Sequence, residues 1–320
     1  MSGRLVAPTS PGAEAAGLRE VVEERLRAGE FFWLDLHGPS REELDLLRDP
    51  FDFHPLAVED SEHFGQRPKA EDYEGFLFLV VYGWAPDEDG LVEVHCFVSE
   101  RFLVTVRRDE APSLDALRAR YERDLDRFPR GADLLYEVVD SLVDDFFPVL
   151  EQLDDRLELI EEHMFSSPKP EHLEDIFGMK RRLVRLRRVV APQRDLFGRI
   201  ASGGVVVPAM TTDAERYFRD VYDHMVRLSE AIDGDREMMN AAIDAYLSTA
   251  SNRLNVTTKQ LAVIATIFLP LTFVTGFFGQ NFGWMVDHVS SWEMFVLLGL
   301  GLELVTLIVL LALFRLRGWF

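Results

Sequence analysis

The chain has almost no cysteine. Cys96 is the single one among 320 residues, which excludes a disulfide framework and a cysteine-based metal cluster. The first thirty residues carry charges, Pro8 and Pro11 but no apolar run of the secretory kind, so the N-terminal body is expected to stay in the cytosol. Catalytic signatures are missing too: there is no Gly-x-x-x-x-Gly-Lys phosphate loop, no His-Glu-x-x-His and no Gly-x-Ser-x-Gly, so no enzyme is expected. The eight histidines are scattered, and His95 beside Cys96 on an expected strand would point to opposite faces. Proline is absent between Pro208 and Pro270, and only Gly234 interrupts the helix formers of that interval. Charge is scarce at the C-terminal end. Residues 259–320 hold Lys259, Arg315 and Arg317 against Asp287, Glu293 and Glu303, so the whole formal charge of −21 lies in residues 1–258.

What replaces charge at that end is apolar. Leu261 to Phe278 is an 18-residue run without a charge, and Met294 to Phe314 is a 21-residue run whose one charge is Glu303. Either is long enough to cross a hydrocarbon core as a helix. Soluble helices that are apolar on every face are the alternative, and few soluble cores bury them. Lys259 before the first span and Arg315 and Arg317 after the second agree with the positive-inside rule. That places both termini in the cytosol, leaves Asp287, His288 and Glu293 in a short outer loop, and makes the lipid bilayer of the inner (plasma) membrane a partner. The acidic body before the spans repels phosphate backbones, which argues against nucleic acid, and concentrates cations. Solubility alone also accounts for an acidic surface.

The cytosolic part changes character along its length. Phe31 to Leu36, Phe76 to Tyr82, Leu91 to Val98 and Phe102 to Val106 are short aromatic or β-branched runs, the last two joined across Ser99, Glu100 and Arg101 as a hairpin. Helical patterns over Ala15 to Ala28 and Pro112 to Arg127 flank them. Residues 1–131 therefore read as an α+β domain. In 132–208 strand character disappears: Leu134 to Phe165 and Glu171 to Val190 form a helical hairpin broken by Ser166 to Pro170, with Pro148 either kinking the first arm or starting a new helix. Antiparallel packing of the arms would set Asp154, Asp155, Glu158, Glu161 and Glu162 against Lys180, Arg181, Arg182, Arg185, Arg187 and Arg188. Cation binding by the acidic face is the other reading. From Thr211 apolar residues recur every three or four positions, through Val221, Met225, Leu228 and Ile232 and on into the first span, so one helix is expected over Thr211 to Phe278. A helix of that length needs partners along its seam, which makes self-association expected. The expected divisions are a stalk over 209–260, a first span over 261–279, an outer loop over 280–291, a second span over 292–314 and a tail over 315–320.

These residues carry a family resemblance. Asn255 to Phe282, with Ile264-Ala-Thr-Ile-Phe-Leu-Pro-Leu-Thr-Phe273, Gly276 and the Gly279-Gln280-Asn281 end, resembles the pore helix of CorA-family divalent-cation transporters. His54-Pro-Leu56 with Glu59 and Asp60, Arg67-Pro-Lys69, Asp140 with Val143-Asp-Asp145, Arg219 to His224, and Tyr246-Leu-Ser248 resemble further CorA segments in the same order. The resemblance covers about Phe31 to Phe320 and implies a homopentameric funnel with the first span lining the pore. It further implies that Gly279, Gln280 and Asn281 form the selective mouth, and that Asp60 and Asp220 match an intersubunit metal-sensing site, with Glu59 and Asp140 as a second. Where the family signature reads Gly-Met-Asn this chain has Gln280, and zinc-transporting relatives of the ZntB type also vary that position. Mg2+ influx is the expected function, with Co2+ and Ni2+ as further passengers. Zn2+ transport, or a non-conducting membrane-anchored Mg2+ sensor, are the alternatives.

The chemistry of the residues agrees with a cation path. Mg2+ sheds its water reluctantly, so a mouth suited to it offers neutral oxygens to a hydrated ion. Asn281 supplies an amide carbonyl, and Gly279 permits a tight turn; in isolation Gly-x-Asn is also a common helix C-cap. Asn255, Thr258, Leu261, Ala265, Leu269, Thr272 and Gly276 fall on one helical face, poor in charge and small or mildly polar in places. Leu261 and Leu269 could gate by dewetting. Close helix packing through small residues is the competing account of that stripe. For Asp60, Asp220, Glu59 and Asp140 the competing account is a cap or a salt bridge. Glu303 has no role in conduction on this reading.

Overall fold

The computed structural model describes residues 5–6, 15–85, 90–124, 130–166, 169–280 and 282–318. The chain divides into two compact units, Met1–Ile243 and Asp244–Phe320.

The first unit is built on a six-stranded mixed sheet. Its strands are β1 (Leu5–Val6), β2 (Phe32–His37), β3 (Lys69–Tyr73), β4 (Phe76–Trp84), β5 (Leu91–Val98) and β6 (Phe102–Arg107), in the spatial order β1-β2-β6-β5-β4-β3. The pairs β1–β2 and β2–β6 are parallel and the remaining pairs antiparallel. The hairpin expected across Ser99 to Arg101 joins β5 to β6. Nearly every residue of β4 and β5 is buried, so both faces of the central sheet are covered. This is why His95 and Cys96, on opposite faces, are both fully buried. His95 satisfies its ring nitrogens with Ser61 Oγ at 3.0 Å and Glu93 Oε1 at 2.7 Å.

Helices α1 (Ala15–Ala28), α2 (Arg41–Arg48), α3 (Pro55–Glu62) and α4 (Pro112–Arg123) flank the sheet. α4 ends at Arg123, short of the expected Arg127, and 125–129 lie outside the described residues. α5 (Gly131–Asp144) lies directly on β4. A Cβ on Gly83 of β4 would sit 2.6 Å from Leu142 Cδ2 of α5, so the missing side chain is what lets helix and strand approach so closely.

The first arm of the expected hairpin is two helices, α5 and α6 (Phe147–Ser166); Pro148 occupies the first turn of α6, where its missing N–H costs no bond. The second arm, α7 (Pro170–Ala201), runs past the expected end at Val190 and through Pro192. Beyond that proline it buries Leu196, Phe197 and Ile200, and Gln193 Oε1 accepts a 2.6 Å bond from Tyr82 N of β4. Burial and that anchor hold the helix together across the interrupted ladder.

Among the described residues the basic face of the second arm makes contacts other than the expected acidic-to-basic pairing of the two arms. One ion pair that crosses from α6 to α7 has the opposite sense, Arg156 to Asp175 at 3.2 Å. On α7, Arg187 pairs with Asp233 at 2.8 Å, Lys180 donates to Asn240 at 2.6 Å and Arg182 lies over the Trp84 ring. The basic face is drawn to the following helix, whose own carboxylates and amides lie within reach. Asp235 is only 4% exposed. Burial, together with the Asp154 carboxyl of α6, pushes its own carboxyl up to about 7.

Helix α8 (Thr212–Phe278) bears out the single long helix. Within the first unit its Val221, Met225, Leu228, Ile232 and Met239 are buried. In the second unit α8 continues as the first apolar span. It is followed by α9 (Gly283–His288), α10 (Trp292–Met294), a π-helical segment Phe295–Gly301 and α11 (Leu302–Leu316). The segments from Trp292 to Leu316 form one 25-residue helical span with mean hydropathy 2.7 in its best window, against 2.2 for α8. The π-helical stretch was not expected from the sequence. A Cβ on Gly301 would stand 3.3 Å from the Val296 carbonyl, so glycine eases the widened turn.

Candidate ion path and cation site

The last turn of α8 closes on itself before the expected mouth. Gly279 N donates to the Thr275 carbonyl at 2.9 Å and Gln280 N to the Phe277 carbonyl at 3.2 Å. A Cβ on Gly279 would come within 3.1 Å of the same Thr275 oxygen, so glycine permits this tight exit. Gln280 lines a cavity of about 650 Å³ whose other polar members include Thr275, Ser290 and Glu303. Asn281 lies outside the described residues.

The stripe expected to line a pore is on one exposed face. Asn255, Thr258, Leu261, Ala265, Leu269, Thr272 and Gly276 are all exposed, Leu261 at 62% and Leu269 at 72%. The half-buried residues of the same span, Val263, Ile267, Pro270, Leu271, Val274 and Phe278, fall on the opposite side of the helix at 3.6 residues per turn. Thr275, at the edge of that half-buried side, meets Glu303 of α11, with Oγ1 and Oε1 2.6 Å apart. Ala265, Phe268, Leu269, Thr272 and Phe273 shape a shallow groove along the exposed side. Thr272 Oγ1 donates to the Phe268 carbonyl at 2.7 Å. Its one proton is thereby used inside the helix, and it presents acceptor lone pairs outward, the polarity that the water shell of a cation requires.

The carboxylates of the first unit fall into two groups. Asp60 is paired: Lys69 Nζ donates to it at 2.6 Å and to Glu71 at 2.7 Å. Burial works against the Lys69 ammonium, but these two bonds outweigh it and hold the group above its ordinary value. Glu59 is exposed, and its carbonyl accepts from His63. Among the described residues no hydrogen bond or ion pair joins Asp60 to Asp220 or Glu59 to Asp140.

Asp140 and Asp220 instead belong to one cluster. Asp140 and Asp144 lie four apart on α5, and Asp220 and His224 four apart on α8, so each pair shares a helical face. His224 Nδ1 is 3.3 Å from Asp144 Oδ1, and His224 Nε2 is 3.7 Å from Asp220 Oδ2. Ligand atoms of Asp140, Asp144 and His224 all come within 4.8 Å of one another. Asp140 Oδ1 is buried without a hydrogen-bond partner. Burial, then the charge of Asp144, pushes the Asp140 carboxyl up to about 6, against the pull of His224. Two carboxylates and an imidazole gathered around an unsatisfied buried oxygen make a donor set that fits a divalent cation. Asp144 and His224 had not been singled out as ligands. The two i,i+4 spacings were the available signal.

A family model described as "CorA-like Mg2+ transporter protein" matches residues 28–316. The chain belongs to this family. Within it, YfjQ of Bacillus subtilis is 36% identical over 306 residues, covering 95% of both chains. The cobalt/magnesium transport protein CorA of Thermotoga maritima is 32% identical over 267 residues, covering 81% of this chain and 76% of that one. The fold is shared with the complete structure of the CorA magnesium transporter of Methanocaldococcus jannaschii, at TM-score 0.79 and 23% identity over 90% of this chain and 91% of the other. Family membership and fold bear out the expected architecture of an α+β domain, a long helix and two C-terminal apolar helices.

Proposed function

We propose that this CorA-type divalent-cation transporter carries Mg2+, with Co2+ and Ni2+ as further passengers, into the cytosol. The carrying unit is a homopentamer in the plasma membrane with both termini inside. The observation that carries the reading is the stripe from Asn255 to Gly276, which lies exposed on the side of α8 opposite its half-buried face. Five copies turned inward would give a narrow channel of hydroxyl and amide acceptors interrupted by rings of Leu261 and Leu269. Such rings close by dewetting and open when the helices separate slightly. Gly279, Gln280 and Asn281 would form the outer ring that meets the hydrated ion.

Regulation is assigned to the cluster of Asp140, Asp144, Asp220 and His224, with Asp60 and Glu59 approaching from a neighbouring subunit. Unscreened, these carboxylates repel one another. A cytosolic divalent cation relieves the repulsion, favours the closed arrangement and so limits its own influx. The Zn2+ reading prompted by Gln280 has less support, because the matching family model and the Thermotoga relative are both named for magnesium.

The test is flux into liposomes holding the purified full-length chain, with Mg2+ and Zn2+ followed separately by ion-sensitive dyes, with and without a proton gradient. Mg2+ entry indifferent to the gradient is the expected result. Zn2+ entry that follows the gradient would move the assignment to zinc, and no flux of either ion would leave a sensor.

A further inference from the structure

Glu303 is the only ionisable residue between Met294 and Phe314, and an unpaired charge there would be costly. Its Oε1 lies 2.6 Å from Thr275 Oγ1, and the same hydroxyl lies 2.9 Å from the Leu271 carbonyl. A threonine hydroxyl has one proton to give. The Leu271 carbonyl and the Glu303 carboxyl therefore share this one hydroxyl as acceptors. The result is a link from the Glu303 carboxyl through the Thr275 hydroxyl to the backbone of α8.

That link ends where the mouth begins. The Thr275 carbonyl accepts the Gly279 N–H, so Thr275 is the fixed point from which the Gly279-Gln280 exit departs. On the other helix, the π-helical segment Phe295–Gly301 ends two residues before Glu303. The wider turn of such a segment shifts the phase of everything that follows relative to an uninterrupted α-helix, which re-aims α11.

We infer that Glu303 is a positioning residue for ion selection, holding the last turn of α8, and with it the Gly279-Gln280 mouth, through Thr275. This rests on the reading of that mouth as the selective ring. Glu303 itself never touches the ion.

The test is a double-mutant cycle in liposomes holding the full-length chain, reading the half-saturating Mg2+ concentration and the ratio of Mg2+ to Ni2+ entry separately from maximum flux. Glu303→Leu and Thr275→Val each remove the bond, and each should raise the half-saturating concentration roughly three- to fifteen-fold, the range an interhelical hydrogen bond in a membrane supplies. The Glu303→Leu/Thr275→Val double variant should be no worse than either single change. Glu303→Gln and Thr275→Ser keep a donor and an acceptor and should stay within about two-fold of the parent chain. Unchanged half-saturation and ion ratio in Thr275→Val, the more nearly isosteric change, would overturn the inference, and so would additive effects in the double variant. A parent chain that passes no divalent cation would overturn the transport reading itself, an outcome distinct from a conducting parent whose variants match it.

Discussion

Replacing Asp140 by Asn separates the two roles assigned to the carboxylate cluster. Without a cation, Asp140 is held among Asp144, Asp220 and Glu137 and half buried, and its carboxyl is pushed up to about 6. A rise of about two units from the ordinary aspartate value corresponds to about 3 kcal/mol. The side chains of Asp144 and Asp220 are 55% and 56% exposed, so water screens part of it, and about 1–2 kcal/mol is the better expectation. The sign follows from proton binding. Between about pH 4 and 6 the folded chain holds a proton that the unfolded chain has released, so stability falls as pH rises through that window and the loss is complete above it. At pH 7.5, in chelator, Asp140→Asn should therefore raise the melting temperature by about 2–8 °C, taking about 2–4 °C per kcal/mol for a unit of this size. Mg2+ should reverse the order. A cation at about a hundred times its dissociation constant adds about 2.7 kcal/mol to the parent chain, and the variant, with an amide in place of a charged ligand, should gain less than half as much. The assay is thermal unfolding of the detergent-solubilised full chain, followed by tryptophan fluorescence with and without Mg2+. A variant that keeps the whole Mg2+-dependent rise would refute the cluster as a cation site. One that melts lower in chelator would refute the repulsion argument.

Two further perturbations test the frame around that cluster. Asp235 is buried against Asp154 and pushed up to about 7, so stability should decline as pH climbs from about 4 to 7 and level off above. Asp235→Asn should remove the upper part of that decline, with a gain of about 2–4 kcal/mol at pH 8 and none at pH 4; identical pH profiles in urea unfolding would dismiss it. Gly83→Ala would place a Cβ 2.6 Å from Leu142 Cδ2 and 3.2 Å from the Leu142 carbonyl, forcing α5 away from the sheet at a cost of about 1–3 kcal/mol. Because α5 carries Asp140 and Asp144, the variant should also show a smaller Mg2+-dependent rise in melting temperature, and a full rise at a lowered melting point would uncouple packing from the cluster.

What could be read in advance divides along a physical line. Where a residue's environment follows from its own pattern, the sequence was enough. The hairpin of Leu91–Val98 with Phe102–Arg107, the uninterrupted α8 and both apolar spans are set by alternation, by helical spacing or by sheer apolar length. Where a distant segment decides, it was not. β3 reads Lys-Ala-Glu-Asp-Tyr, with no apolar alternation, and is a strand because the edge of β4 offers it a ladder. α7 crosses Pro192 because Gln193 and Phe197 find buried partners beyond it. The candidate sites divide in the same way. The stripe on α8 proposed to line the pore could be laid out from sequence because one helix carries all of it. The candidate cation cluster is half legible: Asp140 and Asp220 stand out in the sequence, but Asp144 and His224 emerge as their companions only when α5 and α8 are side by side. Glu303 is the limiting case. A lone carboxyl in an apolar run signals an expense, and nothing in the run says what offsets it. The partner lies 28 residues away in a threonine hydroxyl that also reaches the Leu271 carbonyl. The residue that looks least compatible with its span is thus one that contacts the other span directly.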